Sequence, residues 1–112
     1  MIRLFSASAL AGAALLGACA SADETPVTET RAQRGQIIAA TECATCHSIG
    51  PSGASPLEGA PPLRTVLASY NTATLEMDLM DGMRVGHADM PRFTFDPRTV
   101  DALIVYLQSI QQ

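Results

Sequence analysis

The residues with the clearest capacity for chemistry are Cys43 and Cys46, followed directly by His47, in the pentapeptide C-x-x-C-H. This motif predicts a haem c attachment site. Each thiol adds across one vinyl group of the porphyrin, and the two-residue spacer on a helical turn sets the sulfurs at the separation of those vinyls. The adjoining imidazole then lies beneath the iron as an axial ligand.

Three other interpretations of the same pentapeptide stay open when it is taken alone. A thioredoxin-like C-x-x-C needs a surrounding βαβ pattern, and a four-ligand zinc site needs a second Cys/His pair. Neither pattern follows in the sequence. The third interpretation is a chance cluster of these residue types in a loop, since short motifs often mislead.

An iron held by His47 needs a ligand on its other face, and that ligand separates an electron carrier from a catalyst or sensor. Met90 is the best candidate, because a thioether in a loop is aimed by the backbone and Pro91 restricts Met90 to extended conformations. Soft sulfur also suits iron in a buried site. Ordinary packing is the alternative for a lone methionine before proline.

His87, three residues before Met90, is the rival ligand, and a second imidazole would lower the potential relative to a thioether. Gly86 on one side and Asp89 close on the other predict an exposed loop histidine instead. Methionine at helical spacing is more often core filler than a ligand, so three others are assigned to packing or the surface. They are Met77, Met80 and Met83.

The elements that must position these residues are predicted to be helices and loops. A helix from about Glu29 to Glu42 carries small residues along one face, and Gly35 within it costs about 1 kcal/mol relative to alanine. That cost indicates either a close helix crossing or a tolerated glycine near a frayed start. The residues of that face are Ala32, Gly35, Ala39 and Cys43.

After His47 the sequence predicts an irregular loop from Ser48 to Pro62, with four prolines and three glycines. A proline carbonyl on this loop is placed to accept the His47 Nδ1–H bond, which would orient the ring. Pro61 and Pro62 are the candidates. A stiff loop with no such role is the alternative for each.

The rest of the chain predicts three further helices and no strand, hence an all-α fold. Leu63 to Ser69 forms a short helix, and Asn71 or Thr72 caps a longer one that ends at Gly82. A second loop follows, and Asp96-Pro97 then begins the last helix. Its apolar stripe comprises Val100, Leu103, Ile104, Leu107 and Ile110.

The charge balance of the 112-residue chain excludes a nucleic-acid partner. Seven arginines and no lysine stand against eleven acidic residues, giving a formal net charge of -4. Phosphate binding needs a basic stripe that this composition lacks. The length allows one small domain.

Residues 1–20 are predicted to be a signal peptide, with Arg3 before an apolar run that is short for a membrane span. Leu16-Gly17-Ala18-Cys19 matches a lipobox, in which Cys19 becomes the lipidated first residue. Ala18-Cys19-Ala20 also fits ordinary signal peptidase. Lipidation is favoured because Cys19 would otherwise be a lone thiol in an oxidising compartment. Residues 21–30 form a polar linker, and residues 31–112 form the domain.

With these residues assembled, the chain resembles a small monohaem class I cytochrome c from about Arg31 to Ile110. The matching residues are Gly35, Cys43, Cys46, His47, Pro61, Pro62, Met90, Pro91, Leu103 and Tyr106. The resemblance implies one covalent haem c in an all-α fold, with short helices and loops wrapped around it. It also implies that the N- and C-terminal helices cross at Gly35, against Tyr106.

The sequence departs from that family at three points. Ala39 stands where many members carry an aromatic, which implies a looser helix crossing. No tryptophan is present, so Tyr70 and Arg64 are candidate donors to the buried haem propionate. The absence of lysine implies that the chain does not dock partners through a lysine ring.

The resemblance implies electron transfer by haem iron cycling between Fe(III) and Fe(II), with no enzymatic activity, in a periplasmic or membrane-tethered carrier. Its redox partners would be a respiratory oxidase, a bc-type complex or a periplasmic dehydrogenase, and an acylated Cys19 would attach it to a membrane. One alternative is a haem enzyme or gas sensor with a displaceable Met90. Another is a cytochrome subunit bound permanently to a periplasmic dehydrogenase.

Overall fold

The computed structural model describes residues 29–82 and 84–112, and this part of the chain is helical with no strand. Its elements are α1 (Arg31–Glu42), a 3₁₀ helix (Leu63–Ala68), α2 (Thr72–Asp81) and α3 (Pro97–Ile110). The all-α prediction is confirmed. The proposed signal peptide, Cys19, most of the linker and Met83 lie outside the described residues.

Each α-helix begins at a side chain that caps its first backbone amides. Thr30 forms a capping box with Gln33, so α1 starts two residues later than the sequence predicted. Asn71 Oδ1 accepts from the amides of Ala73 and Thr74 at the start of α2. Asp96 does the same for α3, with Pro97 in the first turn. These starts therefore follow from local sequence.

Helices α1 and α3 form the most extensive helix pair in the described fold. At their crossing a Cβ added to Gly35 would collide with the Ala102 carbonyl oxygen and lie 2.6 Å from Tyr106 Cβ. Ala39 is fully buried at 0% exposure. The looser crossing expected at Ala39 stays a prediction, because full burial shows that this residue is enclosed and does not measure the separation of the helices.

Helix α3 supplies half of the buried hydrophobic residues of the described fold. Its apolar stripe is buried as far as Leu107, while Ile110 is only partly buried. Leu75 and Leu79 of α2 are buried against it. Helix α2 ends at Gly82, whose φ of +69° is the left-handed conformation that glycine adopts without strain.

The end of α3 is tied to the 3₁₀ helix through the side chain of Gln111. Its Nε2 donates to the carbonyls of Leu63 and Leu107 at 2.9 and 2.8 Å, and its Oε1 accepts from the Leu67 amide at 3.1 Å. These bonds connect the residue that follows α3 to the 3₁₀ helix at the end of the Ser48–Pro62 loop. Across residues 29–82 and 84–112, no helix has the length and hydropathy needed to cross a membrane.

Candidate functional site

Two adjoining cavities lie among the helices and loops that carry the candidate ligands. One has a volume of about 330 Å³ and almost wholly apolar walls, and the other has about 270 Å³. An apolar cavity with a few converging polar groups is the usual form of a cofactor site. Five residues line both cavities: Cys43, His47, His87, Met90 and Phe93.

The two cysteines lie in a tight turn that continues the path of α1. The amides of Cys46 and His47 both donate to the Cys43 carbonyl, at 3.1 and 2.9 Å. Both thiols are free and partly buried. Burial, with a smaller contribution from the Glu42 carboxylate, raises the pKa of the Cys43 thiol to about 11. A thioredoxin-type site needs a lowered thiol pKa, so this geometry does not favour it.

His47 is buried, at 7% exposure, and its ring is held by a hydrogen bond between Nδ1 and the Pro61 carbonyl oxygen at 2.7 Å. Nδ1 donates to this carbonyl, which leaves Nε2 as the nitrogen available to bind a metal. Pro62 takes a different part, because its carbonyl accepts from the amide and hydroxyl of Thr65. Of the two candidate prolines, the structure brings Pro61 to the histidine.

The segment from Cys43 to Leu63, here called the proximal wall, is braced by backbone bonds. The Leu57 amide donates to the Cys46 carbonyl at 3.1 Å, and the Leu63 amide donates to the Ser48 carbonyl at 2.9 Å. The hydroxyl of Tyr106 donates to the Ile49 carbonyl at 2.6 Å, which anchors the wall to α3. Burial raises the pKa of Tyr106, so its hydroxyl stays protonated and able to donate.

Arg64 lines neither cavity, and its assignment as a propionate donor stays a prediction. Its guanidinium donates to Ser48 Oγ at 3.2 Å and to the Gly53 carbonyl at 2.9 Å. The loop path brings these acceptors to Arg64, and sequence spacing gave no sign of it. Arg64 therefore acts as a further brace on the proximal wall.

The opposite side of the cavities is formed by residues 85–95, here called the distal segment. Gly86 adopts φ +68°, and the next four residues make a turn closed by the Met90 amide, which donates to the His87 carbonyl at 3.1 Å. Met90 is partly buried and lines both cavities. The turn thus places Met90 in the same cavity as His47, on a different element.

The expectation that His87 is an exposed loop histidine is wrong. Its side chain is partly buried, it lines both cavities, and its ring centre lies 6.4 Å from that of His47. Its Nε2 is buried without a hydrogen-bond partner among the described residues. The flanking residues suggested solvent, but the positive φ of Gly86 redirects the chain immediately before the ring.

Tyr70 lines the larger cavity, and its hydroxyl accepts from the Gly86 amide at 3.4 Å. Tyr70 is therefore in the cavity wall, whereas Arg64 is not, and its role as a propionate donor stays a prediction. Met77 is exposed, and Met80 packs against the core. Their assignment to the surface and to packing agrees with these positions.

Phe93 and Phe95 are cavity residues that sequence reasoning missed. Their rings stack at 4.9 Å between centres, and both line the larger cavity. The Phe95 amide donates to the Leu79 carbonyl at 3.0 Å, which joins the distal segment to α2. Two aromatics separated by one polar residue after Pro91 indicate an extended segment with one apolar face, and that signal was available.

The donor set fits an apolar macrocycle better than an isolated metal ion. No cluster of three or more His, Cys, Asp or Glu side chains able to hold a metal occurs within the described ranges. Instead, two free thiols lie on one turn, an oriented imidazole follows them, and a thioether lies across an apolar space. This arrangement suits a porphyrin fixed by two thioether bonds and axially bound iron.

Comparison with known proteins points the same way. The family model described as Cytochrome c matches residues 32–111, which is most of the chain. No curated protein and no solved structure matches the sequence.

Proposed function

The chain belongs to the cytochrome c family, and we propose that it is an electron carrier whose iron is bound by His47 and Met90. Membership implies one covalently bound haem c, and Cys43 and Cys46 fit its attachment. It also implies haem-based electron transfer with redox partner proteins. The axial ligand pair and the cellular setting belong to the proposal.

The observation that carries the ligand assignment is the hydrogen bond from His47 Nδ1 to the Pro61 carbonyl. It orients the ring and leaves Nε2 for the iron, in a cavity that Met90 also lines. The haem supplies a reversible one-electron couple. With both axial positions taken by side chains, no substrate needs to reach the metal. The thioether and the apolar walls raise the potential.

The exposed side of the smaller cavity supports contact with a redox partner. Leu57 lines this cavity beside Cys46 and is 44% exposed. Thr45 is also exposed there. A small apolar contact of this kind suits the weak, short-lived interfaces of electron-transfer proteins. We propose a respiratory oxidase, a bc-type complex or a periplasmic dehydrogenase as the class of partner.

We also propose a periplasmic location, supported by the signal-peptide pattern of residues 1–20 and by the export that c-type haem attachment requires. Without acylation Cys19 would be a lone thiol in an oxidising compartment, which supports a lipid at this residue. Residues 21–30 would then be the tether between the membrane and the domain. Metabolic labelling with a palmitate analogue tests the acylation, with Cys19→Ser as the unlabelled control. An unlabelled wild type would contradict the lipid anchor and leave the electron carrier intact.

The central experiment is a redox titration of the purified haem protein, with a pyridine haemochrome spectrum to establish the covalent haem. Replacing Met90 with alanine is expected to lower the midpoint potential by on the order of 0.1 V, since axial ligands set haem potentials over about 0.8 V. Met77→Ala, at an exposed methionine, is the matched control. An unchanged potential and reduced spectrum in the Met90 variant would contradict ligation by Met90.

Carbon monoxide separates the carrier from the alternative haem enzyme or gas sensor. A carrier whose two axial positions are both filled by its own side chains is expected to show no rapid change when carbon monoxide is added to the reduced protein. A rapid spectral change in the wild type would instead favour a displaceable Met90 and a catalytic or sensing role.

A further inference from the structure

The side chain of His87 is not accounted for by the proposed function. Its Nε2 is buried and has no hydrogen-bond partner among the described residues. A buried polar atom without a partner costs free energy, so a rearrangement of the neighbouring side chains that gives this nitrogen a partner is favourable. Tyr70, in the same cavity, already has a polar contact with Gly86.

The position of His87 relative to His47 fits two imidazoles that share one metal. A metal–imidazole bond is about 2 Å long and the ring centre lies roughly 1 Å behind the nitrogen, so two rings on opposite sides of one metal have centres about 6 Å apart. The observed distance between the ring centres is 6.4 Å. His47 already uses Nδ1 for Pro61, so each histidine has Nε2 for this role.

His87 and Met90 arise from a single turn, which lets one replace the other with little movement elsewhere. They are its first and fourth residues, joined by the bond from the Met90 amide to the His87 carbonyl. His87 and Met90 each line the larger and the smaller cavity. Gly86, just before the turn, has no close neighbour, because a Cβ added there would meet nothing nearer than Met90 Sδ at 3.8 Å.

We propose that His87 is a second ligand for the haem iron, which it binds through Nε2 opposite His47 when the Met90 thioether is withdrawn. This inference rests on the proposed function for the haem and for His47. His87 contributes a lone pair as the iron–nitrogen bond forms and the iron–sulfur bond breaks. The exchange transfers no electron, and it requires His87 as a neutral imidazole with its hydrogen on Nδ1.

The exchange gives the carrier two states with different potentials. A thioether favours the reduced iron, and a second imidazole lowers the potential relative to it. The turn from His87 to Met90 would therefore regulate whether the protein accepts an electron readily. A partner or membrane surface that moves this turn would change the potential without touching His47.

The test is the spin state of the ferric iron in the purified haem protein, measured by electron paramagnetic resonance. Met90→Ala is expected to stay low-spin with two imidazole ligands, and Met90→Ala/His87→Ala is expected to become high-spin. The double variant should also bind added imidazole readily, whereas the single variant should bind it at least tenfold more weakly. A high-spin Met90→Ala protein with His87 intact would overturn the proposal.

Met90→Leu provides a second variant of similar side-chain volume in case the alanine protein does not mature. It should also stay low-spin, and it should lose that state when His87→Ala is added. Arg92→Ala, at an exposed position of the same segment, controls for general disturbance and should retain the wild-type signal.

The wild-type spectrum separates this inference from the proposed ligand pair. If the ferric wild type gives the signal of one imidazole and one thioether, and Met90→Ala gives that of two imidazoles, both the proposed ligand pair and this inference are supported. A wild type that is already bis-imidazole, and loses this signature on His87→Ala, overturns both Met90 as the resting ligand and the exchange proposed here. If no variant gives a signal that depends on His87, the inference about His87 is overturned and the proposed pair of His47 and Met90 is not affected.

Discussion

The proximal wall and the distal segment face each other across the same cavity, but they are held by different means. The proximal wall carries His47 on a ring bonded to Pro61, behind backbone bonds and the anchor from Tyr106 to Ile49. The distal segment carries Met90 on a turn with one backbone bond across it, beside a His87 nitrogen that is unpaired among the described residues.

This difference indicates that the protein alone orients the His47 ring, whereas the position of Met90 depends on a single turn. A ring held at Nδ1 has its orientation set by the protein. A thioether on a short turn takes its position from the backbone of that turn. The comparison predicts that substitutions behind the proximal wall lower the stability of the whole domain, whereas substitutions in the distal segment change the iron's ligand at smaller cost in stability.

The largest effect is expected at the helix crossing behind the proximal wall. Gly35→Ala places a Cβ against the Ala102 carbonyl and Tyr106, so it should lower the free energy of unfolding by about 3 kcal/mol. Guanidinium denaturation followed by haem absorption measures this. Gln36→Ala, at the exposed neighbouring position, should change the same quantity by less than about 0.5 kcal/mol. Equal effects at the two positions would contradict the close crossing.

The next effect is expected where α3 braces the end of the proximal wall. Gln111→Ala removes three hydrogen bonds and leaves the Leu67 amide and Leu63 carbonyl without these partners, which should cost about 2 kcal/mol. Thermal unfolding of the oxidised protein measures the loss. Gln108→Ala, exposed on the same helix, serves as control. A Gln111 variant as stable as that control would mean that the brace contributes nothing.

A smaller effect is expected in the distal segment. Gly86→Ala keeps open space around its Cβ but forces alanine to φ +68°, which should cost about 1–2 kcal/mol. Because the turn begins at the next residue, the ferric spectrum should change as well. Gly50→Ala, on the proximal wall without a positive φ, should change neither. A Gly86 variant with wild-type spectrum would show that the turn does not depend on this conformation.

The smallest effect is expected at Asp96, where the distal segment joins α3. The Thr99 hydroxyl, which donates to Asp96 Oδ2 at 2.5 Å, is the main cause of the lowered pKa of this carboxyl. A lowered folded-state pKa gives stability that is present above the unfolded pKa and lost as pH falls through the folded value.

Asp96→Asn keeps a capping side chain but does not titrate, so its stability should fall less than that of the wild type between about pH 6 and about pH 3. Denaturation midpoints across this range measure the difference. Because the carboxylate is exposed, the two curves should diverge only slightly. If the denaturation midpoints of the wild type and of Asp96→Asn changed with pH in parallel, Asp96 would not contribute to the loss of stability in acid.

Helix boundaries could be predicted because their causes lie within a few residues. Asn71 or Thr72 was expected as one cap, Asp96 as another and Gly82 as a stop. The structure has Asn71, Asp96 and Gly82 in these roles. The capping box at Thr30 was missed, although its T-x-x-Q pattern is present in the sequence. These signals act through hydrogen bonds between neighbours, so they need no knowledge of the tertiary fold.

The candidate site could be predicted only in part, because its geometry depends on where loops return. His87 was expected in solvent from its neighbours, and Arg64 was expected near a propionate from its type. The turn after Gly86 instead puts His87 in the cavity. The bonds from Arg64 to Ser48 and Gly53 were not predicted, and its role at a propionate stays a prediction.

By itself the sequence determined the cofactor chemistry through Cys43, Cys46 and His47, and the helical class through periodicity and caps. Only the tertiary structure decided that Pro61 rather than Pro62 orients His47, and that His87 and Met90 share the opposite side of the cavity. The reason is the range of the interactions. Capping and attachment spacing are local, whereas contacts across the cavity depend on how α1, α3 and the two loops pack together.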